Sequence, residues 1–292
     1  MGFVFANHDD RAVLVSGDGY WDIDKLSGGA VGPDPMAALD HHRSLHDLAA
    51  KTATETPDGR LDRSLLRAPV PRPGKVFGIG LNYRSHAAES SMDVPDNPVV
   101  FAKFPTCICG PFDTIDMRSD RVDYEGEVVV VIGPGGKDIS ADAAWDHVLG
   151  ITAGQDISDR AIQMASKPPH FDLGKSFDTF GPIGPTIVSP DLLPNRDAIA
   201  VSCAVNGDVR QSDTTANLIF SIPVLIEYLS HITTLHTGDI IFSGTPAGVG
   251  MASKRLLRDG DVVTTTVDGI GTMSNPCRRG SDHGLLPRPK LA

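Results

Sequence analysis

Asp123-Tyr124-Glu125-Gly126-Glu127-Val128-Val129-Val130-Val131-Ile132 sets two glutamates at alternate positions at the mouth of an unbroken apolar strand. Side chains at i and i+2 of a strand share a face, so Glu125 and Glu127 converge on one spot. Two carboxylates held that close raise each other's pKa unless a proton or a cation lies between them. A divalent metal ion is the simplest such cation. An oxygen-only donor set suits Mg²⁺, Mn²⁺ or Ca²⁺ better than zinc or copper, which favour imidazole and thiolate. The competing reading is a pair of solvated glutamates at a strand entrance.

Beyond this strand the chain is rich in short β-branched or apolar runs bounded by Gly, Pro and Asp, at 76–80, 99–103, 128–132, 148–154, 183–188, 199–205, 240–243 and 262–267. Helices are expected at 82–90, 159–165 and 214–231, the last with Leu218, Ile219, Ile222, Leu225, Ile226 and Leu229 at helical spacing. Many strands with few, irregularly placed helices argue for a β-rich α+β fold and against regular βαβ alternation. Upstream, runs such as Ala12-Val13-Leu14-Val15 and a helix expected at 39–51 form a small N-terminal α+β unit, taken as residues 1–70. Three prolines within Arg67-Ala68-Pro69-Val70-Pro71-Arg72-Pro73-Gly74 mark a linker. The main domain is expected over 75–277, with 278–292 as a flexible tail.

Composition narrows the partners. A formal net charge of −11 with 26 scattered basic residues argues against nucleic acid, leaving a small molecule as the expected partner. No stretch approaches the roughly 18–20 consecutive apolar residues of a membrane span. Asp9, Asp10 and Arg11 stand where a signal peptide needs an apolar core, so a cytoplasmic protein with no membrane partner is expected. Four cysteines without C-x-x-C spacing suggest neither a disulfide framework nor a structural zinc site, and Cys107 and Cys109 are expected to be buried as small apolar residues.

Further groups gather around the glutamate pair. In Gly154-Gln155-Asp156-Ile157-Ser158-Asp159-Arg160, Asp156 ends a strand, where a side chain can leave the sheet and enter a cleft. Two Glu and one Asp with waters make an octahedral Mg²⁺ site with open positions. The alternative is that Asp156 caps the helix that follows, a task Ser158 fills equally well. In Gly80-Leu81-Asn82-Tyr83-Arg84-Ser85-His86-Ala87-Ala88-Glu89, His86 and Glu89 are neighbours on a helix, and a carboxylate beside an imidazole makes a general base. Lys175 in Gly174-Lys175-Ser176 is placed to stabilise an enolate or carboxylate, against the alternative of a solvated lysine. The strand at 240–243 runs into Gly244-Thr245-Pro246-Ala247-Gly248-Val249-Gly250, whose N–H groups and Thr hydroxyl could hold an anionic oxygen. It lacks the Lys-Ser/Thr ending of a P-loop, so an NTPase is not expected.

The order and wording of Gly80-Leu81-Asn82-Tyr83, His86, Glu89, Tyr124-Glu125-Gly126-Glu127, Gln155-Asp156-Ile157-Ser158, Gly174-Lys175-Ser176, Val205-Asn206-Gly207 and the glycine-rich 243–250 segment resemble the fumarylacetoacetate hydrolase family. The likeness covers roughly residues 75–277, and residues 1–70 resemble its small N-terminal domain. It implies a mixed β-roll, a homodimer, and Mg²⁺ or Mn²⁺ held by Glu125, Glu127 and Asp156, with Ca²⁺ a substitute in crystals. By the same matching, His86 and Glu89 form a water-activating dyad on a segment that orders over substrate. Lys175 and Gln163 meet the substrate's oxygens and Thr245 its carboxylate, with Tyr83, Lys103 and Gly244 as further expected contacts. Gln155 stands where many members carry Asn, which is expected to change a hydrogen bond behind the metal ligands more than the ligation itself, and His170-Phe171-Asp172-Leu173 stands where some carry Trp, which is expected to alter the pocket.

The activity this implies is hydrolysis of a C–C bond in a 2,4-dioxo acid of the acylpyruvate or fumarylpyruvate type, through a metal-stabilised enolate. The same site suits oxaloacetate-type decarboxylation, or isomerisation or hydration of a 2-oxo-enoic acid. A protein that only binds a metal-chelating acid is the reading from another class, and it leaves the base dyad without a purpose.

Overall fold

In the computed structural model, which describes residues 1–89 and 93–280, the valine run is buried on both sides. Strands of three residues or more are β1 (Val4–His8), β2 (Arg11–Ser16), β3 (Gly19–Asp22), β4 (Val76–Gly80), β5 (Val99–Ala102), β6 (Ile115–Met117), β7 (Gly126–Ile132), β8 (Val148–Gln155), β9 (Gly181–Val188), β10 (Ala200–Val205), β11 (Asp208–Thr214), β12 (Ile240–Phe242), β13 (Val262–Val267) and β14 (Gly271–Arg279). The larger sheet runs β3-β2-β1-β9-β8-β7-β12-β4-β5, and the second runs β11-β10-β13-β14-β6. Helices are short: α1 (Ile23–Leu26), α2 (Pro35–Asp40), α3 (His42–Lys51), α4 (Arg84–Glu89), α5 (Arg160–Gln163), α6 (Ile222–Ile232) and α7 (Gly250–Ser253). This is the sheet-rich α+β architecture the strand pattern predicts. Among the described residues, no helix is long and apolar enough to cross a membrane.

Every residue of β7 is buried. Val128, Val130 and Ile132 pack with Leu225, Ile226 and Leu229 of α6, while Val129 and Val131 pack with Phe5 of β1, Leu39 of α2, and Leu45 and Leu48 of α3. A strand covered on both faces has no reason to alternate, and each such side chain contributes about 1.5–3 kcal/mol by leaving water. In the neighbouring β8, a Cβ on Gly154 would sit 2.4 Å from Val129 and 2.7 Å from Phe242, so only hydrogen fits between these side chains. The N-terminal strands extend the same sheet, because β1 pairs antiparallel with β9 through Val4↔Val188 and Phe5↔Ile187. All four cysteines are free; Cys107 is buried and Cys109 partly so.

Several expected boundaries move. The helix expected at 214–231 begins at Ile222, with Ser221 at its N-cap and Pro223 in its first turn; residues 208–214 belong instead to β11, and Thr215–Asn217 form a 3-10 turn. Proline suits a first helical turn but not an interior, and Leu218 still reaches the core from outside the helix. The helix expected at 39–51 breaks at His41 into α2 and α3. The expected tail begins two residues too early, since β14 carries the chain to Arg279 beside β6. Residues 281–292 of that tail, and position 90 of the helix expected at 82–90, lie outside the described residues.

Candidate metal centre and active site

Antiparallel pairing of β7 with β8 sets Gly126 opposite Gln155, so the residues just beyond, Glu125 and Asp156, leave the sheet at the same end. The Asp156 N–H donates to the Glu125 carbonyl at 2.9 Å. Gln155 locks the corner: its Oε1 accepts from the Glu125 N–H at 3.0 Å and its Nε2 donates to Thr265 Oγ1 at 2.8 Å. Glu125, Glu127 and Asp156 are all buried and each presents a carboxylate oxygen within 4.8 Å of the others. The helix that follows is capped by Asp159, which accepts from the Ala161 and Ile162 N–H groups, so neither Asp156 nor Ser158 is spent on that task.

Three buried cations face these carboxylates. Lys175 Nζ lies 2.7 Å from Glu125 Oε2 and also contacts Asp156 Oδ2. Lys103 Nζ donates to Asp156 Oδ1 at 2.7 Å, to the Phe180 carbonyl at 3.1 Å and to the Lys175 carbonyl. Arg160 places Nε and Nη2 on Asp123 Oδ2 at 2.9 and 2.8 Å, Nη2 on Glu125 Oε1 at 2.6 Å and Nη1 on Gln163 Oε1 at 2.8 Å. Against Lys103, Arg160 and Lys175 stand Asp123, Glu125, Glu127 and Asp156, leaving one negative charge in excess.

That excess falls on Glu127. Burial, then the adjacent Asp156 and Glu125 charges, pushes its carboxyl well above the ordinary 4.5. Burial alone would raise Glu125 too, but the Lys175 ammonium and Arg160 guanidinium outweigh it and hold that group well below the usual range. Burial would lower Lys175, and the Asp156 and Glu125 charges more than offset this and raise it. A divalent cation among the three carboxylates would turn one negative charge in excess into one positive, and the hard, all-oxygen donor set fits Mg²⁺ or Mn²⁺. The residues present therefore suit such an ion.

The glycine-rich segment closes the site from the other side. Gly244 has φ +109°, and a Cβ there would lie 2.7 Å from Asn82 Cβ. Its N–H donates to Glu127 Oε2 at 2.7 Å. Thr245 Oγ1 donates to the Gly126 carbonyl at 3.0 Å and accepts from Gln211 Nε2 at 2.8 Å. The Gly248 N–H meets both carboxylate oxygens of Glu89 at 3.0 Å. Glu89 Oε2 in turn lies 3.6 Å from His86 Nδ1, within ion-pair reach but longer than a hydrogen bond.

A cavity of about 450 Å³ opens above this floor, and Glu125, Lys175, Gln163, Thr245, His86 and Glu89 line it. Glu127 and Asp156 sit beneath. Three expected substrate contacts are set back from the lining, each for a physical reason. Lys103 is consumed by Asp156 and two carbonyls, Gly244 donates its N–H to Glu127, and Tyr83 is wholly buried with its carbonyl accepting from the Ala87 N–H of α4. Arg160 is the group the sequence reading passed over; its partners Asp123 and Glu125 stand 37 and 35 residues away. Its spacing to Gln163 across one turn, with an acid at the helix start, was the available signal. Gln211, which bridges Gly126, Thr245 and Pro246 from β11, carried none.

A buried carboxylate triad with an adjacent lysine thus lies beneath a His–Glu pair at one cavity. Residues 75–278 match the model of the fumarylacetoacetate hydrolase C-terminal domain, and the chain belongs to that family of enzymes. Bacillus subtilis oxaloacetate tautomerase YisK is 43% identical over 247 residues, covering 80% of this chain and 81% of its own. Mitochondrial oxaloacetate tautomerase fahd2 of Xenopus laevis is 40% identical over 78% of this chain and 73% of its own. Among solved structures, maleylpyruvate hydrolase from Sphingobium sp. SYK-6, with manganese(II) and pyruvate, superposes with a TM-score of 0.79 at 29% identity, over 95% of this chain and 99% of its own.

Proposed function

We propose that this enzyme holds a 2-oxo acid on a Mg²⁺ or Mn²⁺ ion bound by Glu125, Glu127 and Asp156, and moves a proton between C3 and the 2-oxo oxygen. The observation that carries the reading is the convergence of three buried carboxylates with Lys175, below His86 and Glu89, in one cavity. The bound ion supplies Lewis-acid stabilisation of negative charge at the 2-oxo oxygen. His86 takes or returns the C3 proton, and Glu89, fixed by the Gly248 N–H, holds the imidazole. The Lys175 ammonium lies beside the same carboxylates and stabilises the developing oxyanion. The likeness to oxaloacetate tautomerases at 40–43% identity puts keto–enol exchange ahead of the C–C hydrolysis the motifs first suggest.

Hydrolysis of a 2,4-dioxo acid is the second reading. It is favoured by the space beyond the polar floor, which leaves room for a distal acyl group, and by the likeness to maleylpyruvate hydrolase. In that reaction His86 would activate water instead. The proposal also includes a homodimer acting in the cytoplasm, with residues 1–70 as a unit built onto the catalytic region. The decisive experiment follows decay of enol-oxaloacetate and of enol-phenylpyruvate by ultraviolet absorbance with Mn²⁺, beside pyruvate release from acylpyruvates. Enol decay faster than buffer, lost in Glu127→Gln with the fold intact, supports tautomerisation. Pyruvate release without enol decay overturns it in favour of hydrolysis, and neither activity overturns both.

A further inference from the structure

The cavity has two unlike halves. Its floor carries the carboxylates and cations, whereas its upper wall is built by Leu81, Val99, Phe101, Phe171, Met164 and Met251. Phe101 and Phe171 meet edge to face with ring centroids 5.7 Å apart, and the Phe101 ring lies 4.9 Å from Lys175 Nζ, so the apolar wall begins directly beside the charged floor. Met164 and Met251 are exposed at the mouth, where flexible thioethers adapt to an apolar guest. Leu81 is held at φ +53°, a region costly for a bulky residue. Its neighbour Asn82 fixes that conformation through bonds to the Ser243 and Phe220 carbonyls and from the Phe220 N–H. A leucine is thus kept in the wall by a clamp that tolerates backbone strain.

The charges matter as much. Among the described residues lining the cavity, Arg160 and Lys175 are the cations apart from His86, and both are committed to Asp123, Glu125 and Asp156. Loaded with a dication, the floor carries one positive charge in excess, enough for one substrate carboxylate. A second carboxylate at the far end of the substrate would face aromatic and aliphatic side chains with no free cation among the described lining residues to pair with it, and moving a charge against such a wall costs hydration that nothing there replaces.

Resting on the proposed 2-oxo acid chemistry, we infer that the substrate is a monocarboxylic 2-oxo acid with an apolar, aryl- or alkyl-sized group beyond C3, in preference to a dicarboxylic acid. The carboxylate and 2-oxo oxygen lie at the floor, and the distal group lies against Phe101, Phe171 and Leu81. Discrimination of this kind rests on a charge held against an apolar wall without a cation beside it and exceeds that of a missing methylene, so at least tenfold is expected.

Two measurements test it. Calorimetric titration of the Mn²⁺-loaded protein compares N-phenyloxamate with N-oxalylglycine, two unreactive chelators that differ in an apolar or a carboxylate end. Tautomerisation of enol-phenylpyruvate and enol-oxaloacetate is then compared by kcat/KM. The inference predicts at least tenfold tighter binding of N-phenyloxamate and at least tenfold higher kcat/KM for phenylpyruvate. Phe171→Arg, on the loop lining the wall, should reverse both orders. Turnover of both acids with oxaloacetate favoured, or tighter binding of N-oxalylglycine, overturns the inference and leaves the proposed chemistry standing. Binding of N-phenyloxamate without turnover of either enol overturns the chemistry and leaves the apolar pocket supported.

Discussion

Replacing Arg160 with methionine removes the cation that joins Asp123, Glu125 and Gln163 while keeping most of the side chain's apolar bulk. Arg160 is 4% exposed and gives four hydrogen bonds, three of them to carboxylates. Removing one partner of a buried pair costs about 3–5 kcal/mol because a charge is left uncompensated. Asp123 keeps bonds from the Tyr124, Gly250 and Met251 N–H groups and Glu125 keeps Lys175, so the lower end, about 3 kcal/mol, applies. At about 2–4 °C per kcal/mol for a chain this large, the metal-free melting temperature should fall by about 6–12 °C. The loss deepens the negative excess at the floor, so saturating Mn²⁺ should narrow the gap between variant and parent. Differential scanning calorimetry with EDTA and with Mn²⁺ measures both. A metal-free melting temperature within about 2 °C of the parent, or a gap that Mn²⁺ widens, would refute the charge balance drawn here.

Glu127 gives a pH signature. Because its folded pKa is raised above 4.5, the Glu127 contribution to the stability of the metal-free protein is fully present below that value and is lost as pH rises through the raised one; bound Mn²⁺ should flatten that part of the pH dependence, and Glu127→Gln should remove it, both read from denaturation midpoints across pH. Lys103→Met strips Asp156 of one cation and leaves the Phe180 and Lys175 carbonyls without their donor, for an expected loss of about 3–5 kcal/mol in urea unfolding; a loss under about 1 kcal/mol would mean that Lys103 is not the structural cation its contacts imply. Gly154→Ala pushes a methyl into Val129 and Phe242, so it should cost about 1–3 kcal/mol, and wild-type stability would show that β7 and β8 can spread there.

The parts of this molecule that were readable in advance are those where local chemistry and tertiary role coincide. Glu125 and Glu127 share a face because of strand geometry alone, and the valine run is apolar on every residue because both its faces are covered. Arg160 offers only its one-turn spacing to Gln163 as a local signal, since its importance lies in carboxylates that only the pairing of β7 with β8 brings near. The partners of Lys103 are hidden for the same reason: nothing in Phe101-Ala102-Lys103-Phe104 says that the ammonium turns inward onto Asp156. The strand Gly271–Arg279 escaped notice because Thr272, Ser274 and Pro276 interrupt its inward-facing Met273, Asn275 and Cys277 with polar and turn-forming residues. Leu218 and Ile219 continue the apolar spacing of the helix at 222–232 beyond its N-terminus, which hides the start that Pro223 marks.

The pairing of β1 with β9 carries a consequence for how the chain is made. Val4 and Phe5 find Val188 and Ile187 only once synthesis has reached residue 188, whereas Asn7 and His8 pair much earlier with Arg67 and Leu66, so the Val4–Phe5 end of that edge waits uncovered in the meantime. Unpaired edges invite association with other chains, and pairings of such long sequence separation form slowly. The polar turn at Asp9 and Asp10 and the early hairpin with β2 give the waiting strand one partner from the start, and Leu66 and Arg67 cover part of the other side, which leaves only the Val4–Phe5 end to be guarded until β9 emerges.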